Sequence, residues 1–210
     1  AFTSATVAPG GAGADTLDIN TSTAVDFSAG TLEGFTVLSA AGSQNHASAG
    51  VHHTYTEAQI DQFTTITGPT GNSYNIIVEA NNAKSTLDLA DGVSLTNARV
   101  NASYTLDNVG DSFVGLDNGI DTFVIPDAAG SFVATADFKL TGGGGTDVLD
   151  INTITAIDLR LGTIATMETL DLAAGNVASL KLTGAQYNDF TGGITADAND
   201  NIEISTVNAL

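Results

Sequence analysis

The feature that most constrains this chain is an internal duplication. The stretch Gly10-Gly11-Ala12-Gly13-Ala14-Asp15-Thr16-Leu17-Asp18-Ile19-Asn20-Thr21 returns as Gly142-Gly143-Gly144-Gly145-Thr146-Asp147-Val148-Leu149-Asp150-Ile151-Asn152-Thr153. A second block, Thr56-Glu57-Ala58-Gln59 through Phe63-Thr64, parallels Thr183-Gly184-Ala185-Gln186 through Phe190-Thr191, and Asn75-Ile76-Ile77-Val78 parallels Asn201-Ile202-Glu203-Ile204. Residues 10–78 and 142–204 therefore read as two copies of one module. The intervening segment 79–141 carries a shorter tandem: Leu106-Asp107-Asn108-Val109-Gly110-Asp111-Ser112-Phe113-Val114, then Leu116-Asp117-Asn118-Gly119-Ile120-Asp121-Thr122-Phe123-Val124.

Between these motifs, short runs of alternating apolar and polar residues recur, such as Thr86-Leu87-Asp88-Leu89 and Ser179-Leu180-Lys181-Leu182. Such alternation is the mark of half-buried strands, and the intervening Gly, Asn and Asp mark turns. The helix-like patches are Glu57–Phe63 and Ala185–Phe190, each preceded by a Thr (Thr56, Thr183) suited to N-capping. Short strands at near-regular spacing fit a sandwich or a solenoid. Ordered repetition along the chain favours stacking, so the expectation is an all-β, parallel β-solenoid over 1–210 as a single domain.

Both long repeats satisfy the nonapeptide G-G-x-G-x-D-x-U-x, with U a large apolar residue (Leu17, Leu149). Glycines permit turns that leave carbonyls facing an ion, and Asp supplies charge; calcium takes six to eight such hard oxygens. The candidate ligands are Asp15, Asp18, Asp147 and Asp150. In the tandem, Asp107, Asp111, Asp117 and Asp121 are expected to face one another across two stacked turns, where uncompensated carboxylates would repel. Asp200, ahead of the strand at Ile202, is a further candidate. The competing account is plain turn chemistry, because Asp, Asn and Gly are standard turn residues.

The nonapeptides resemble the calcium-binding repeats of RTX (haemolysin-type) proteins, and the wider module is similar to β-solenoid segments of bacterial S-layer proteins and large repetitive adhesins. The resemblance implies a β-roll or β-helix, extracellular and at the cell surface, exported by type I secretion, with Ca2+ needed for folding. Neither nonapeptide is followed directly by a second good copy, so partner ligands would come from a neighbouring coil.

Composition bounds the rest. With 19 Asp and 5 Glu against five Lys and Arg, the formal charge is −19. That excludes nucleic acid and anionic membrane surfaces, both of which need clustered cations. No run approaches the ~20 apolar residues of a bilayer span, so no membrane insertion is expected. No signal peptide is visible, and a chain opening on Ala1 is expected to be processed or cut from something longer. A hydrophobic fraction of 42% allows a core, and the absence of cysteine leaves ions as the available staple. The three histidines, His46, His52 and His53, read as a surface loop.

The functional expectation is a secreted bacterial structural protein of S-layer or adhesin type, folding and assembling on calcium, with like subunits or surface polysaccharide as partners. No nucleophile elbow, P-loop or HExxH motif is present, so no enzyme activity is expected. The alternatives are a polysaccharide lyase or epimerase module, for which Lys84, Arg99, Lys139, Arg160 and Lys181 are too scattered, and an ice-binding solenoid presenting Thr21/Thr23, Thr65/Thr67 and Thr153/Thr155.

Overall fold

The computed structural model describes residues 6–7, 13–21, 23–41, 52–69, 74–79, 86–89, 94–96, 100–116, 119–126, 131–172, 177 and 179–205. Over these the chain is nearly all β, a solenoid of short strands in which every pairing is parallel. An eight-stranded sheet runs from Val25–Asp26 to Gly193–Thr195, flanked by three four-stranded sheets and one two-stranded sheet. The expected fold class is thus the one observed.

Alternation explains how the coils stack. On the inner face of the large sheet, Tyr55, Val78, Tyr104, Phe123, Leu149 and Leu170 lie in one continuous register row. All six are buried, and the Tyr104 and Phe123 rings stack at 4.9 Å. Each such side chain contributes roughly 1.5–3 kcal/mol by leaving water. The outward row one residue along, Thr54, Ile77, Ser103, Thr122, Val148 and Thr169, is mostly β-branched or hydroxylic, as a pleated outer surface favours.

Coil length varies. The step from Ala102 to Asp121 takes 19 residues, that from Thr65 to Ser94 takes 29. The short coil has two strands, Val100–Thr105 and Ser112–Val114, before Asp121–Ile125 closes it. This compact coil sits between the two modules and puts them out of phase. Asp15–Asp18 and Val25–Asp26 lie in a four-stranded sheet and the large sheet; their counterparts Val148–Ile151 and Ala156–Asp158 lie in the large sheet and another four-stranded one.

Despite that shift the two copies make the same local bonds. Helix α1 (Glu57–Ile60) and helix α2 (Gly184–Asp189) each start with a capping box, Thr56 with Gln59 and Thr183 with Gln186. The Gln59 amide donates to Phe27 O (2.9 Å) and Gly30 O (2.8 Å), and Gln186 does the same to Leu159 O (2.7 Å) and Gly162 O (2.8 Å). The T-x-A-Q motif is therefore a staple from each helix cap to the coil beneath. Gln186→Leu should cost about 3 kcal/mol, since it removes three bonds at once and strips the Gly162 carbonyl and the Thr183 N–H of their partner, while Leu159 O keeps the Gly162 N–H. A urea midpoint within error of the parent protein's would refute the staple.

One expectation is corrected here. His53 is not in a surface loop: it is fully buried in the strand His53–Thr56. Its Nδ1 lies 3.2 Å from Tyr74 Oη, which lies 2.9 Å from Tyr55 Oη, and its Nε2 lies 3.3 Å from Thr23 O. Polar partners at both nitrogens let the imidazole sit in an apolar coil. His52, on the opposite face, is partly exposed, and His46 lies outside the described residues.

Candidate functional site

Two of the candidate acids, Asp121 and Asp147, meet at one corner of the coil, where the chain turns into the eight-stranded sheet. Residues 115–116 and 119–121 are stacked there on the turn 142–147, with Thr166–Glu168 on the next coil. Glycine makes this approach possible. A Cβ at Gly142 would collide with Thr166 O and with Asp147 Oδ2, and one at Gly115 would meet Gly142 O at 2.5 Å.

Three acids form a ladder up this corner. The Asp121 N–H donates to Asp147 Oδ1 (2.9 Å), and the Asp147 N–H donates to Glu168 Oε2 (2.7 Å). At the foot, Asp121 accepts from Tyr104 Oη (3.0 Å) and from the Leu116 N–H (2.9 Å). Burial first, then the charge of Asp121, holds the Tyr104 hydroxyl well above its usual range, so it stays a donor.

Asp147 is the unbalanced member. It is fully buried, yet its Oδ2 has no hydrogen-bond partner. Burial pushes its carboxyl up to about 6; the Asp121 N–H opposes the shift, and the charge of Glu168 adds to it. The equivalent oxygen in the first copy, Asp15 Oδ2, is likewise buried without a partner. Thr166 adds strain to the corner. It has φ +52° where its counterpart Gly34 has +78°, and left-handed backbone is unfavourable for a β-branched residue. Its Oγ1 accepts from the Gly143 N–H (3.1 Å), fixing the glycine turn.

The other candidates are dispersed. Asp111 is buried at a different corner and accepts from the Asn108 N–H (3.0 Å), with Asp107 half-buried in the same turn. Asp107 and Asp111 therefore do not face Asp121 across stacked turns. Ser112–Val114 and Asp121–Ile125 belong to different sheets, because a ten-residue unit spans one side of a coil and not a whole coil. Asp117 lies outside the described residues. Asp18 is exposed and accepts from Ser39 Oγ (3.1 Å). Asp150 sits on the outer face in register with Asp171; burial raises its pKa, a hydrogen bond from Asn152 opposes this, and repulsion from Asp171 adds to it. Asp200 accepts from the Val177 N–H (2.6 Å) and the Asp197 N–H (2.5 Å), as a turn residue does.

Glu168 and Tyr104 were not among the expected site residues. Glu168 had a signal: Glu168-Thr169-Leu170-Asp171 repeats the pattern of Asp15-Thr16-Leu17-Asp18 and Asp147-Val148-Leu149-Asp150, an acid two residues ahead of Leu-Asp. Tyr104 had none, since its role depends on which coil lies next to Asp121.

Chemically, the polar side chains described at this corner are hard oxygen donors, a set that suits calcium over softer metals. Among the described residues no three His, Asp or Glu side chains are grouped so as to hold a metal on their own. A cation here would take Asp147 Oδ2 as its anchor and backbone carbonyls of the glycine turns as its remaining protein ligands. No protein-family model matches the chain, and no curated protein and no solved structure matches it either.

Proposed function

We propose that the protein is a calcium-stabilised β-solenoid scaffold of a bacterial cell surface, of S-layer or adhesin type, with a mechanical role and no turnover. The observation that carries this reading is the orphaned carboxylate oxygen at the same position of both glycine-rich turns, Asp15 Oδ2 and Asp147 Oδ2. A buried anionic oxygen without a donor is costly, and a bound cation offsets that cost. The formal charge of −19 supports the same view, because divalent ions would relieve self-repulsion as the chain compacts. The extracellular setting and the secretion route rest on the resemblance of the glycine-aspartate turns to RTX repeats.

Calcium at about 100-fold over its dissociation constant should add about 2.7 kcal/mol. For a chain of this size that is a rise of about 5–10 °C in Tm relative to chelator. Scanning calorimetry in EDTA and in millimolar calcium, with magnesium as control, measures it. Superimposable EDTA and calcium traces would end the calcium reading.

A further inference from the structure

We infer that Thr166 gives the cation at Asp147 a backbone carbonyl from the next coil, held in place by its left-handed conformation, so that the ion ties two coils together. This rests on the calcium reading and deepens it. It adds a ligand that neither glycine turn provides and a positioning residue outside both nonapeptides.

Two coils meet at Gly142. The place its Cβ would occupy is crowded by Thr166 O from one coil and Asp147 Oδ2 from the other. Asp147 is fully buried and its Oδ2 has no partner, and among the described residues no backbone N–H donates to Thr166 O. Two acceptors turned toward one point are unfavourable unless a proton or a metal ion lies between them. Calcium holds oxygens at about 2.3–2.6 Å, so two ligands of one ion can stand up to about 5 Å apart, and this pair falls within that reach. The two oxygens of Asp147 thus face different coils. Oδ1 takes the Asp121 N–H from the coil before, and Oδ2 is left turned toward the coil after.

The Thr166 backbone is what brings its carbonyl there. Its φ of +52° lies in the left-handed region, and an extended or right-handed residue would aim the carbonyl elsewhere. Bonds between the same two segments lock that arrangement. The Gly142 N–H donates to Ala165 O (3.1 Å) and the Gly143 N–H to Thr166 Oγ1 (3.1 Å). Asp147 O accepts from the Glu168 N–H (3.1 Å) and the Thr169 N–H (2.9 Å). A threonine is stiff at χ1, which keeps Oγ1 on Gly143. With the carbonyl fixed before the ion arrives, little ordering remains to be lost on binding. In the first copy Gly34 takes positive φ without strain but carries no hydroxyl. Threonine is the more strained residue at this position, and the clamp on the glycine turn is what it adds.

Isothermal calorimetry of calcium into the folded, metal-stripped protein tests this, with Thr166→Gly and Thr166→Ser alongside and circular dichroism to check each fold. The binding step to compare is the one that Asp147→Asn removes. Thr166→Gly keeps the left-handed turn and loses the clamp. Its Tm in EDTA should stay near the parent's while calcium affinity falls about tenfold or more, as for outer partners of metal ligands. Thr166→Ser keeps Oγ1 and should bind much as the parent does. By NMR the Thr166 carbonyl resonance, read through the Met167 N–H, should move on saturation with calcium. Equal affinity in Thr166→Gly and the parent, or an unmoved Thr166 carbonyl in a parent that binds, overturns the inference and leaves the calcium reading standing. A serine variant as weak as the glycine variant overturns it too, since the hydroxyl would then be no clamp. A parent that binds no calcium, or none that Asp147→Asn removes, ends the reading of this corner as a calcium site and the inference with it.

Discussion

Asp147→Asn should be more stable than the parent protein in chelator at pH 7 and less stable than it in calcium. The parent carries a buried carboxylate whose Oδ2 has no partner, and burial raises its pKa from 3.8 to about 6. A folded-state pKa above the unfolded value means that the folded protein binds the proton more tightly. The favourable contribution is therefore present below about pH 4 and is lost as pH rises through about 6. A shift of this size corresponds to about 3 kcal/mol of cost at neutral pH. Asparagine keeps an oxygen to accept the Asp121 N–H and removes the charge, for an expected net gain of about 1–2 kcal/mol in EDTA. It also removes the anionic anchor, so the calcium-induced rise of several degrees should shrink to the residual effect of other sites. The stability difference between parent and variant, followed from pH 7 to pH 4 in EDTA, should close and then reverse as Asp147 takes up its proton. Equal calcium shifts in both proteins would show that Asp147 binds no cation.

The corner that makes this prediction possible was only partly legible in the sequence. The nonapeptides named Asp147 through its glycines, and alternation named the strands and their inward residues. Thr56 and Thr183 were recognisable as caps because capping is local. What sequence left open was which turn stacks on which. Asp121 and Asp111 look equivalent in the ten-residue tandem, yet they occupy different corners, since the coil closes after 19 residues from Ala102 to Asp121. Parallel pairing joins residues 19 to 29 positions apart, and the length of each coil is set by its corners, which carry no periodic mark. His53 misled for a related reason. Its neighbours at 47–50 are small or polar, but its register partner Ile76 and its bond to Tyr74 place it in the core. Glu168 sits between these cases: its motif is visible, and its meaning came from the register that sets it beside Asp147.

The largest single destabilisation expected is Gly145→Ala, and its informative control is the same change in the other copy, Gly13→Ala. Both glycines have positive φ, +138° and +153°, so each alanine meets a backbone penalty of about 1 kcal/mol. Space distinguishes them. A Cβ at Gly145 would collide with Gly119 O, a backbone atom of the stacked turn that cannot swing aside, whereas among the described residues nothing lies within 4 Å of a Cβ at Gly13. Relief at Gly145 requires the turn 142–147 to part from Gly119–Asp121, which also breaks the bond from the Asp121 N–H to Asp147. Gly145→Ala should therefore cost about 4 kcal/mol against about 1 for Gly13→Ala, or about 8–16 °C in Tm against 2–4 °C. The same parting pulls the carbonyls of one turn away from the Asp147 of the other. Calcium should then restore little of the lost stability in Gly145→Ala, while Gly13→Ala should respond as the parent protein does. Equal losses in the two variants would mean that the second nonapeptide turn is not held against its neighbour, and the case for a cation between them would fall with it.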